Sequence, residues 1–247
     1  MKQATIRLNK FLAQAGLGSR RSVEDLIRAG RVKVNKTVIS FPGHMVDPTQ
    51  DEVVYDGNII TQEIEPTYIV LNKPVDFICS RNDEKGRRTV YQLVRTPQQL
   101  FTIGRLDQDS EGLLIFTNDG EFANRLIHPR YKVPKKYYVE LKKPAPPNIR
   151  EIFKNGVIID RKVRVTGELH FPNPKNRKSC FVTIHEGRNR QVRKMFAAVD
   201  CRVKVLHRTE IGPLKLGSLA LGAWRYLTNR ELRALKKAVG LDHGDDQ

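Results

Sequence analysis

Short apolar segments of strand-like composition dominate the chain after residue 67, and fewer helix-like segments lie between them. Segments rich in β-branched and aromatic residues and bounded by turn residues are read as strands, at 68–74, 101–106, 112–118, 135–141, 163–171, 179–186 and 202–212. Segments with apolar residues at helical spacing are 89–95, 121–128, 148–156, 190–199 and 229–239. Strands and helices do not alternate one to one. The sequence therefore predicts an α+β domain with a mixed, mainly antiparallel sheet flanked by helices, not a doubly wound parallel sheet.

The first sixty or so residues have a different pattern, with two helices followed by short strands. Leu8, Phe11 and Leu12 recur at helical spacing, and a second helix is expected to begin at Ser19 or Ser22. The expected divisions are a small ααβ domain at 1–62, a linker at 63–67, a larger domain at 68–240 and a disordered tail at 241–247.

The chain is strongly basic, with 44 Lys and Arg against 27 Asp and Glu and a formal net charge of +17. Such a surplus indicates a polyanionic partner, and nucleic acid is the first candidate. Residues 173–208 hold one basic cluster. A second cluster lies in the small domain, at Arg20, Arg21, Arg28, Arg31, Lys33 and Lys36. Either cluster alone would fit a solvated surface, whereas two clusters favour an extended RNA-binding track.

The cysteine pattern and the apolar runs restrict the cellular setting. Cys79, Cys180 and Cys201 form no C-x-x-C pair, so neither a zinc site nor a redox dithiol is indicated. An odd number of cysteines fits reduced thiols in a cytosol. The first ten residues lack the apolar core of a secretory signal, and no apolar run reaches the length of a membrane span. We therefore expect a cytoplasmic protein with no membrane partner.

Acidic residues gather in one segment of this basic chain, "GRLDQDSEGLLIFTNDG" at 104–120. Asp107, Asp109 and Glu111 have the spacing of a calcium loop, but the twelfth position is Asn118 where a bidentate Glu is needed. A solvated turn between two strands explains Asp109 to Gly112 better. It does not explain Arg105 and Asp107 at the end of the strand. A third interpretation is a catalytic carboxylate at Asp107, which nearby arginines would keep ionised in an RNA-binding cleft.

The same segment resembles the signature of the ribosomal pseudouridine synthases, in the subgroup that carries a small N-terminal RNA-binding module. Residues 7–35 are similar to the α-L RNA-binding fold shared with a small-subunit ribosomal protein. "LNKP" at 71–74, "KKYYV" at 135–139 and "EGRNRQVRKMF" at 186–196 resemble further family motifs, in the expected order. The resemblance covers almost the whole chain and is nearest to members that modify the large ribosomal subunit.

The resemblance implies that uridine in ribosomal RNA, in the large subunit or its precursor, is isomerised to pseudouridine without metal or organic cofactor. Asp107 matches the essential aspartate, which attacks the ribose or abstracts its proton. Among substrate-binding residues, Tyr137 matches the tyrosine that stacks on the flipped-out base, and Arg193 matches the arginine that pairs with the aspartate. Arg105 matches the residue that displaces the base, and Val192 falls within the third motif. Further RNA contacts are expected at Arg188, Arg190 and Lys194.

Two other functions fit parts of the sequence. A non-catalytic RNA-binding or ribosome-assembly factor would explain the basic clusters equally well. It would not need an acid that repels phosphate beside a tyrosine and an arginine. A metal-dependent RNA hydrolase would need a second cluster of ligands, which the sequence lacks. The catalytic interpretation is therefore preferred, with a monomer as the default expectation.

Overall fold

The computed structural model describes residues 5–61, 65–81 and 83–241 of the chain. Tertiary contacts divide the chain into two compact units, residues 1–66 with 96–99, and residues 67–95 with 100–247. The expected linker at 63–67 lies partly outside the described residues, and the expected disordered tail lies outside them from residue 242. Both stay predictions. Among the described residues, no helix combines the length and the apolar character that crossing a bilayer requires.

The N-terminal unit packs two short helices against small strands. Its elements are β1 (Ile6–Arg7), α1 (Leu8–Gln14), α2 (Arg20–Arg28), β2 (Val32–Val34), β3 (Thr37–Ile39), β4 (Met45–Val46), β5 (Val53–Tyr55) and β6 (Asn58–Ile59). Ser19 is the residue that caps α2, because its hydroxyl accepts a hydrogen bond from the Ser22 amide at 3.1 Å. Leu8, Phe11 and Leu12 are buried, as their helical spacing predicts.

In the described part of the chain, the larger unit is built on a nine-stranded mixed sheet and a separate two-stranded sheet. Its strands are β7 (Tyr68–Lys73), β8 (Phe101–Ile103), β9 (Glu111–Thr117), β10 (Lys135–Leu141), β11 (Val157–Ile159), β12 (Val163–Val165), β13 (Glu168–His170), β14 (Ser179–Ile184), β15 (Val203–Ile211), β16 (Leu214–Lys215) and β17 (Trp224–Tyr226). Of these, β11 and β12 form the two-stranded sheet. The α-helices of this unit are α3 (Gly120–Ile127), α4 (Ile149–Asn155), α5 (Gln191–Ala197) and α6 (Asn229–Ala238).

The main path of the sheet runs β13-β14-β10-β15-β9-β7-β17, with β8 beside β9 and β16 beside β15. Within the described part of the sheet, β9 and β15 pair in parallel and the other pairs are antiparallel. The α+β prediction with a mixed, mainly antiparallel sheet is confirmed.

Both faces of the central strands are buried, which explains why β7 and β9 are almost continuously apolar. Ile69 and Leu71 belong to the apolar cluster on one face of the sheet. Tyr68 and Val70 belong to the cluster on the other face, which includes residues of α3 and α6. The central strands β7 and β9 are therefore packed against apolar side chains on both faces.

Two sequence predictions differ from the structure. The segment 89–95 contains only a single 3₁₀ turn, Val90–Gln92, in place of an α-helix. Pro97 follows closely and disfavours helical backbone at the residue before it, so the turn is not extended. The segment 163–171 forms two strands, β12 and β13, with Gly167 between them. The Gly167 amide donates to the Phe153 carbonyl and not to a neighbouring strand, so the strand is interrupted there.

Candidate active site

The loop between β8 and β9 carries the acidic residues, and a buried lysine holds its backbone. Lys73, at the end of β7, is fully buried. Its ammonium donates to the carbonyls of Ser110 at 2.7 Å and Asp107 at 3.1 Å. A third bond goes to the Pro74 carbonyl at 2.9 Å. Burial lowers the pKa of Lys73, while nearby acidic groups including Asp107 oppose that shift. Lys73 thus connects the end of β7 to the loop between β8 and β9 that carries Asp107.

A glycine allows β9 to approach β15 closely beside this loop. Gly112 has φ +103°, and a Cβ atom there would lie 2.4 Å from the Arg208 carbonyl oxygen. No side chain fits at that distance, so the parallel contact between the two strands needs glycine. The contact brings the loop of Asp107 to the strand that carries Arg208.

Asp107 lines an open cleft of about 280 Å³ in the larger unit. Its side chain is 33% exposed, and its Oδ2 atom lies 3.6 Å from Nη1 of Arg190. Arg105 also lines the cleft and is exposed. Among the described residues, the Arg105 guanidinium has no hydrogen-bond or ion-pair partner, so it can reach for an incoming ligand.

The neighbouring Asp109 takes the stronger ion pairs. Its two carboxylate oxygens receive a bidentate pair from Arg190, at 3.1 and 2.9 Å. Nε of Arg193 lies 3.2 Å from Asp109 Oδ2. Burial raises the pKa of the Asp109 carboxyl, but the Arg190 hydrogen bond and both arginine charges outweigh burial, so the net shift is downward.

The expected pairing of Arg193 with Asp107 is not the one in the structure. Arg193 donates from Nη2 to the Asp109 carbonyl at 2.5 Å and from Nη1 to the Val203 carbonyl at 3.2 Å. These two backbone bonds fix the guanidinium next to Asp109. The ion pair of Asp107 comes instead from Arg190, which the sequence had placed among the RNA-binding residues.

An aromatic and an aliphatic side chain form apolar walls of the same cleft. Tyr137 on β10 is 7% exposed and lines the cleft, as does the buried Val192 on α5. Tyr138 projects to the opposite face, where its hydroxyl hydrogen-bonds Glu140 at 3.1 Å. The alternation along β10 thus leaves Tyr137 as the tyrosine of that pair at the cleft.

Of the remaining RNA contacts predicted in this unit, one lies in the cleft and one lies outside it. Arg188 lines the cleft, and its Nε lies 2.9 Å from Glu186 Oε2. Lys194 pairs with Asp160 at 2.8 Å and is not among the cleft-lining residues. The structure therefore brings Arg188 to Asp107 and Arg190, and leaves Lys194 outside that group.

In the N-terminal unit, the predicted RNA contacts are all exposed: Arg20, Arg21, Arg28, Arg31 and Lys33. Arg28 pairs with Glu24 at 3.0 Å, and Arg31 pairs with Asp56. Among the residues described in this unit, Arg21 and Lys33 have no ion pair, so their charges are available to a polyanion.

Two basic residues of the cleft were given no role in the site by the sequence analysis. Lys135 precedes Tyr137 by two residues, and Arg208 lies on β15. Burial, and then the charge of Arg208, lower the pKa of Lys135 to about 8. The spacing in "KKYYV" could have indicated Lys135, because residues two apart on a strand face the same side. Arg208 had been counted only as part of a basic cluster.

The acids of this segment lie among arginine side chains. The described residues contain no group of three or more His, Cys, Asp or Glu side chains placed to hold a metal ion. Asp109 is instead paired with arginines, which compete directly with any cation. The arrangement offers a carboxylate, a tyrosine ring and several cations around a space of about 280 Å³.

Comparisons with known proteins agree with the two units. The family model described as RNA pseudouridylate synthase matches residues 67–198, and the S4 domain model matches residues 6–53. An uncharacterized RNA pseudouridine synthase of Aquifex aeolicus is 40% identical over 241 residues, covering 96% of each chain. Ribosomal large subunit pseudouridine synthase B of Bacillus subtilis is 39% identical over 242 residues, covering 96% of this chain and 98% of that protein.

A solved structure supports the same relationship. A crystal structure of a pseudouridylate synthase matches with a TM-score of 0.68 and 32% identity, and covers 93% of this chain and 99% of that one. The relatives and the family model agree with the resemblance found in the sequence motifs. The chain is thus a pseudouridine synthase with an N-terminal S4 domain, and it belongs to the RNA pseudouridine synthase family.

Proposed function

We propose that this protein isomerises a uridine of the large ribosomal subunit RNA, or its precursor, to pseudouridine, with Asp107 as the group that acts on the ribose. The single observation that carries the proposal is the meeting of Asp107, Tyr137 and Arg190 in one cleft. A purely RNA-binding surface would gain nothing from a carboxylate there, because a carboxylate repels phosphate.

The cleft suits a nucleotide that has left its stack. Unstacking costs a few kcal/mol, and an aromatic platform returns about 1–3 kcal/mol for each stacked base. Tyr137 supplies that platform, and the exposed Arg105 fills the space that the base leaves. Asp107 then attacks C1′ or removes a ribose proton, and Arg190 compensates its charge from 3.6 Å. Arg193 supports this arrangement indirectly, by holding Asp109.

The choice of large-subunit RNA rests on relatives. The Bacillus subtilis protein that covers nearly the whole chain is named for the large ribosomal subunit. The S4 domain would hold RNA at a second point, and two linked weak sites raise affinity through effective concentration. We further propose a cytoplasmic monomer that needs no metal or organic cofactor, since substrate and product are isomers. Light scattering of the purified protein tests the monomer.

The test is a map of pseudouridines in ribosomal RNA from cells that lack this protein, read by carbodiimide labelling and primer extension. One site should disappear in the deletion, return with the wild type and stay absent with Asp107→Asn. The matched control is Asp200→Asn, since Asp200 is exposed outside the cleft at φ +55°, a conformation that Asn also tolerates.

Two outcomes would contradict the proposal. If Asp107→Asn restores the missing pseudouridine fully, Asp107 is a turn residue and has no catalytic role. If the site that disappears in the deletion lies in another RNA, the enzyme acts on a different substrate class and the large-subunit assignment is wrong.

A further inference from the structure

Three side chains of the cleft project from one face of the sheet. Lys135 and Tyr137 are two residues apart on β10, so they face the same side. Arg208 on β15 is the cross-strand partner of Tyr137, and its guanidinium carbon lies 6.0 Å from the centre of the tyrosine ring. All three line the cleft that contains Asp107. We call Lys135 and Arg208 the cationic floor of this cleft.

The cationic floor carries charge that the protein does not neutralise. Among the described residues, neither Lys135 nor Arg208 forms an ion pair with a carboxylate. Lys135 donates only to the Val133 carbonyl, at 3.0 Å. Arg208 is 4% exposed and donates from Nε to the Leu113 carbonyl at 2.7 Å, while its Nη2 is buried with no hydrogen-bond partner in the described structure.

Such an arrangement opposes folding, because a buried cation is stable only when it is paired and hydrogen-bonded. The lowered pKa of Lys135, about 8, expresses the same cost. Arg188 and Arg190 in the same cleft are paired with Glu186 and Asp109. Arg105 has no ion pair among the described residues, but it is exposed to water. Two cations without an ion-pair partner among the described residues, in the cleft that Tyr137 also lines, therefore indicate a ligand that brings negative charge there.

We propose that Lys135 and Arg208 contact the uracil base and stabilise the negative charge that it carries once its bond to the ribose has broken. This inference rests on the proposed function and adds two catalytic residues to it. Preorganised donors aimed at a developing charge are among the strongest contributions that an active site makes to rate.

The electron count of the reaction explains why that charge arises. When the C1′–N1 bond breaks, its electron pair remains on the base, which becomes a uracil anion whether Asp107 attacks C1′ or removes a ribose proton. The base then turns over, and C5 supplies the electron pair of the new C1′–C5 bond. In the first route the ester bond between Asp107 and C1′ breaks and its electron pair returns to the carboxylate; in the second route Asp107 gives the proton back to the ribose. C5 loses a proton and N1 gains one, so the product is an isomer and the floor cations transfer no atoms.

A phosphodiester is the alternative anion, and the geometry favours the base. Arg208 is almost completely buried beside an aromatic ring, where a flat heterocycle fits better than a hydrated tetrahedral phosphate. The cleft also contains Arg105, which is exposed and can meet the RNA backbone first.

The test compares Lys135→Met with wild type under single-turnover conditions, on transcribed large-subunit ribosomal RNA with enzyme in saturating excess. We expect the rate of pseudouridine formation to fall on the order of 100-fold. The RNA Kd from filter binding should stay within about 2-fold of wild type, because Lys135 is not expected to bind a phosphate. The melting temperature should not decrease, because the substitution removes an uncompensated charge.

Arg208→Lys, which keeps the charge but loses the fork of donors, should show an intermediate rate.

Lys136→Met is the matched control. Lys136 is the adjacent residue, projects to the other face and pairs with Glu210 at 3.1 Å. Its replacement removes the same charge from the same strand without touching the cleft. The single-turnover rate of Lys136→Met should equal that of wild type.

The pH dependence gives a readout that a structural role would not produce. Lys135 is charged below its pKa of about 8 and loses that charge as the pH rises. The rate of wild type at subsaturating enzyme should therefore fall between pH 7 and pH 9, while Lys135→Arg should keep its rate. Titration of the RNA bases affects both enzymes equally. The other charged groups lining the cleft are Arg105, Asp107, Arg188, Arg190 and Arg208. Lys135→Arg keeps all of these groups and changes only position 135, so a difference between the two pH profiles belongs to Lys135.

Several results would overturn the inference. A weaker Kd with an unchanged saturated rate would identify a phosphate site. An unchanged rate and Kd, or equal slowing in Lys136→Met, would show that Lys135 has no specific role at the base. These outcomes differ from failure of the proposed function, in which wild type itself would form no pseudouridine in this RNA.

Discussion

At the scale of single residues, buried cations organise this active site as much as its acids do. Lys73 is fully buried and connects β7 to the loop of Asp107 through three backbone carbonyls. Arg193 fixes the position of Asp109 in the same way, by donating to the Asp109 and Val203 carbonyls. Some buried or half-buried basic residues of this chain therefore bind its own backbone, and their charge does not indicate an RNA contact.

Replacing Lys73 by Met should loosen the catalytic loop. The Ser110 and Pro74 carbonyls would lose their donor, and a buried acceptor without a partner costs about 1–3 kcal/mol. We expect the free energy of unfolding in a urea titration to fall by about 2 kcal/mol, and amide exchange at residues 107–110 to accelerate. The control is Lys162→Met, at an exposed position. Unchanged exchange at 107–110 would show that Lys73 does not hold the loop.

At the scale of secondary-structure elements, the parallel contact of β9 with β15 is the junction that assembles the cleft. The loop that contains Asp107 leads directly into β9, and β15 brings Arg208 beside Tyr137. The register pairs Gly112 with Arg208 in this contact. Any side chain at position 112 would push the two strands apart and move Arg208 away from its place.

Gly112→Ala should therefore be strongly destabilising. The added Cβ would lie 2.4 Å from the Arg208 carbonyl oxygen and 2.6 Å from its amide nitrogen, at φ +103°. We expect a loss of about 3 kcal/mol or more in unfolding free energy, measured by urea titration. Gly86→Ala is the control for backbone strain alone, because Gly86 has φ +65° and a Cβ atom there would meet no neighbouring atom among the described residues. This substitution should lower the unfolding free energy by about 1 kcal/mol. Equal losses in both variants would contradict the close-approach argument.

At the scale of the whole molecule, the two units have separate tasks. The larger unit contains the cleft, and the S4 domain carries exposed basic residues of its own. Binding to a phosphate releases counterions from the RNA. Removing a lysine or arginine that binds a phosphate should therefore reduce both the affinity for RNA and its dependence on salt.

The double variant Arg21→Gln/Lys33→Gln tests this division. Both charges are unpaired within the described part of the S4 domain, so we expect the slope of log affinity against log salt to decrease by about 2. The single-turnover rate at saturating enzyme should stay unchanged. Filter binding between about 50 and 200 mM salt measures the slope. Lys154→Gln, on α4 of the other unit, controls for general charge; if its slope changes as much, the effect is not specific to the S4 domain.

The sequence by itself determined the class of fold and the candidate Asp107 and Tyr137, because strand alternation, caps and motifs are local properties that the order of residues encodes. The cap of α2 is an example, because the sequence restricted it to Ser19 or Ser22 and the structure decided for Ser19. Only the tertiary structure decided which cation meets which acid. The pairing of Arg190 with Asp107, and of Arg193 with Asp109, depends on atoms more than eighty residues apart in sequence.

The cationic floor was decided by tertiary structure for the same reason. Arg208 looks like one more member of a basic cluster until β15 pairs with β10 and sets it opposite Tyr137. Lys73 likewise looks like an ordinary strand-end lysine until the loop of Asp107 closes over it. The functional role of a charged side chain depends on the groups that pair with it and on its distance from water. Both are fixed when strands distant in sequence meet, so the order of residues alone could not reveal them.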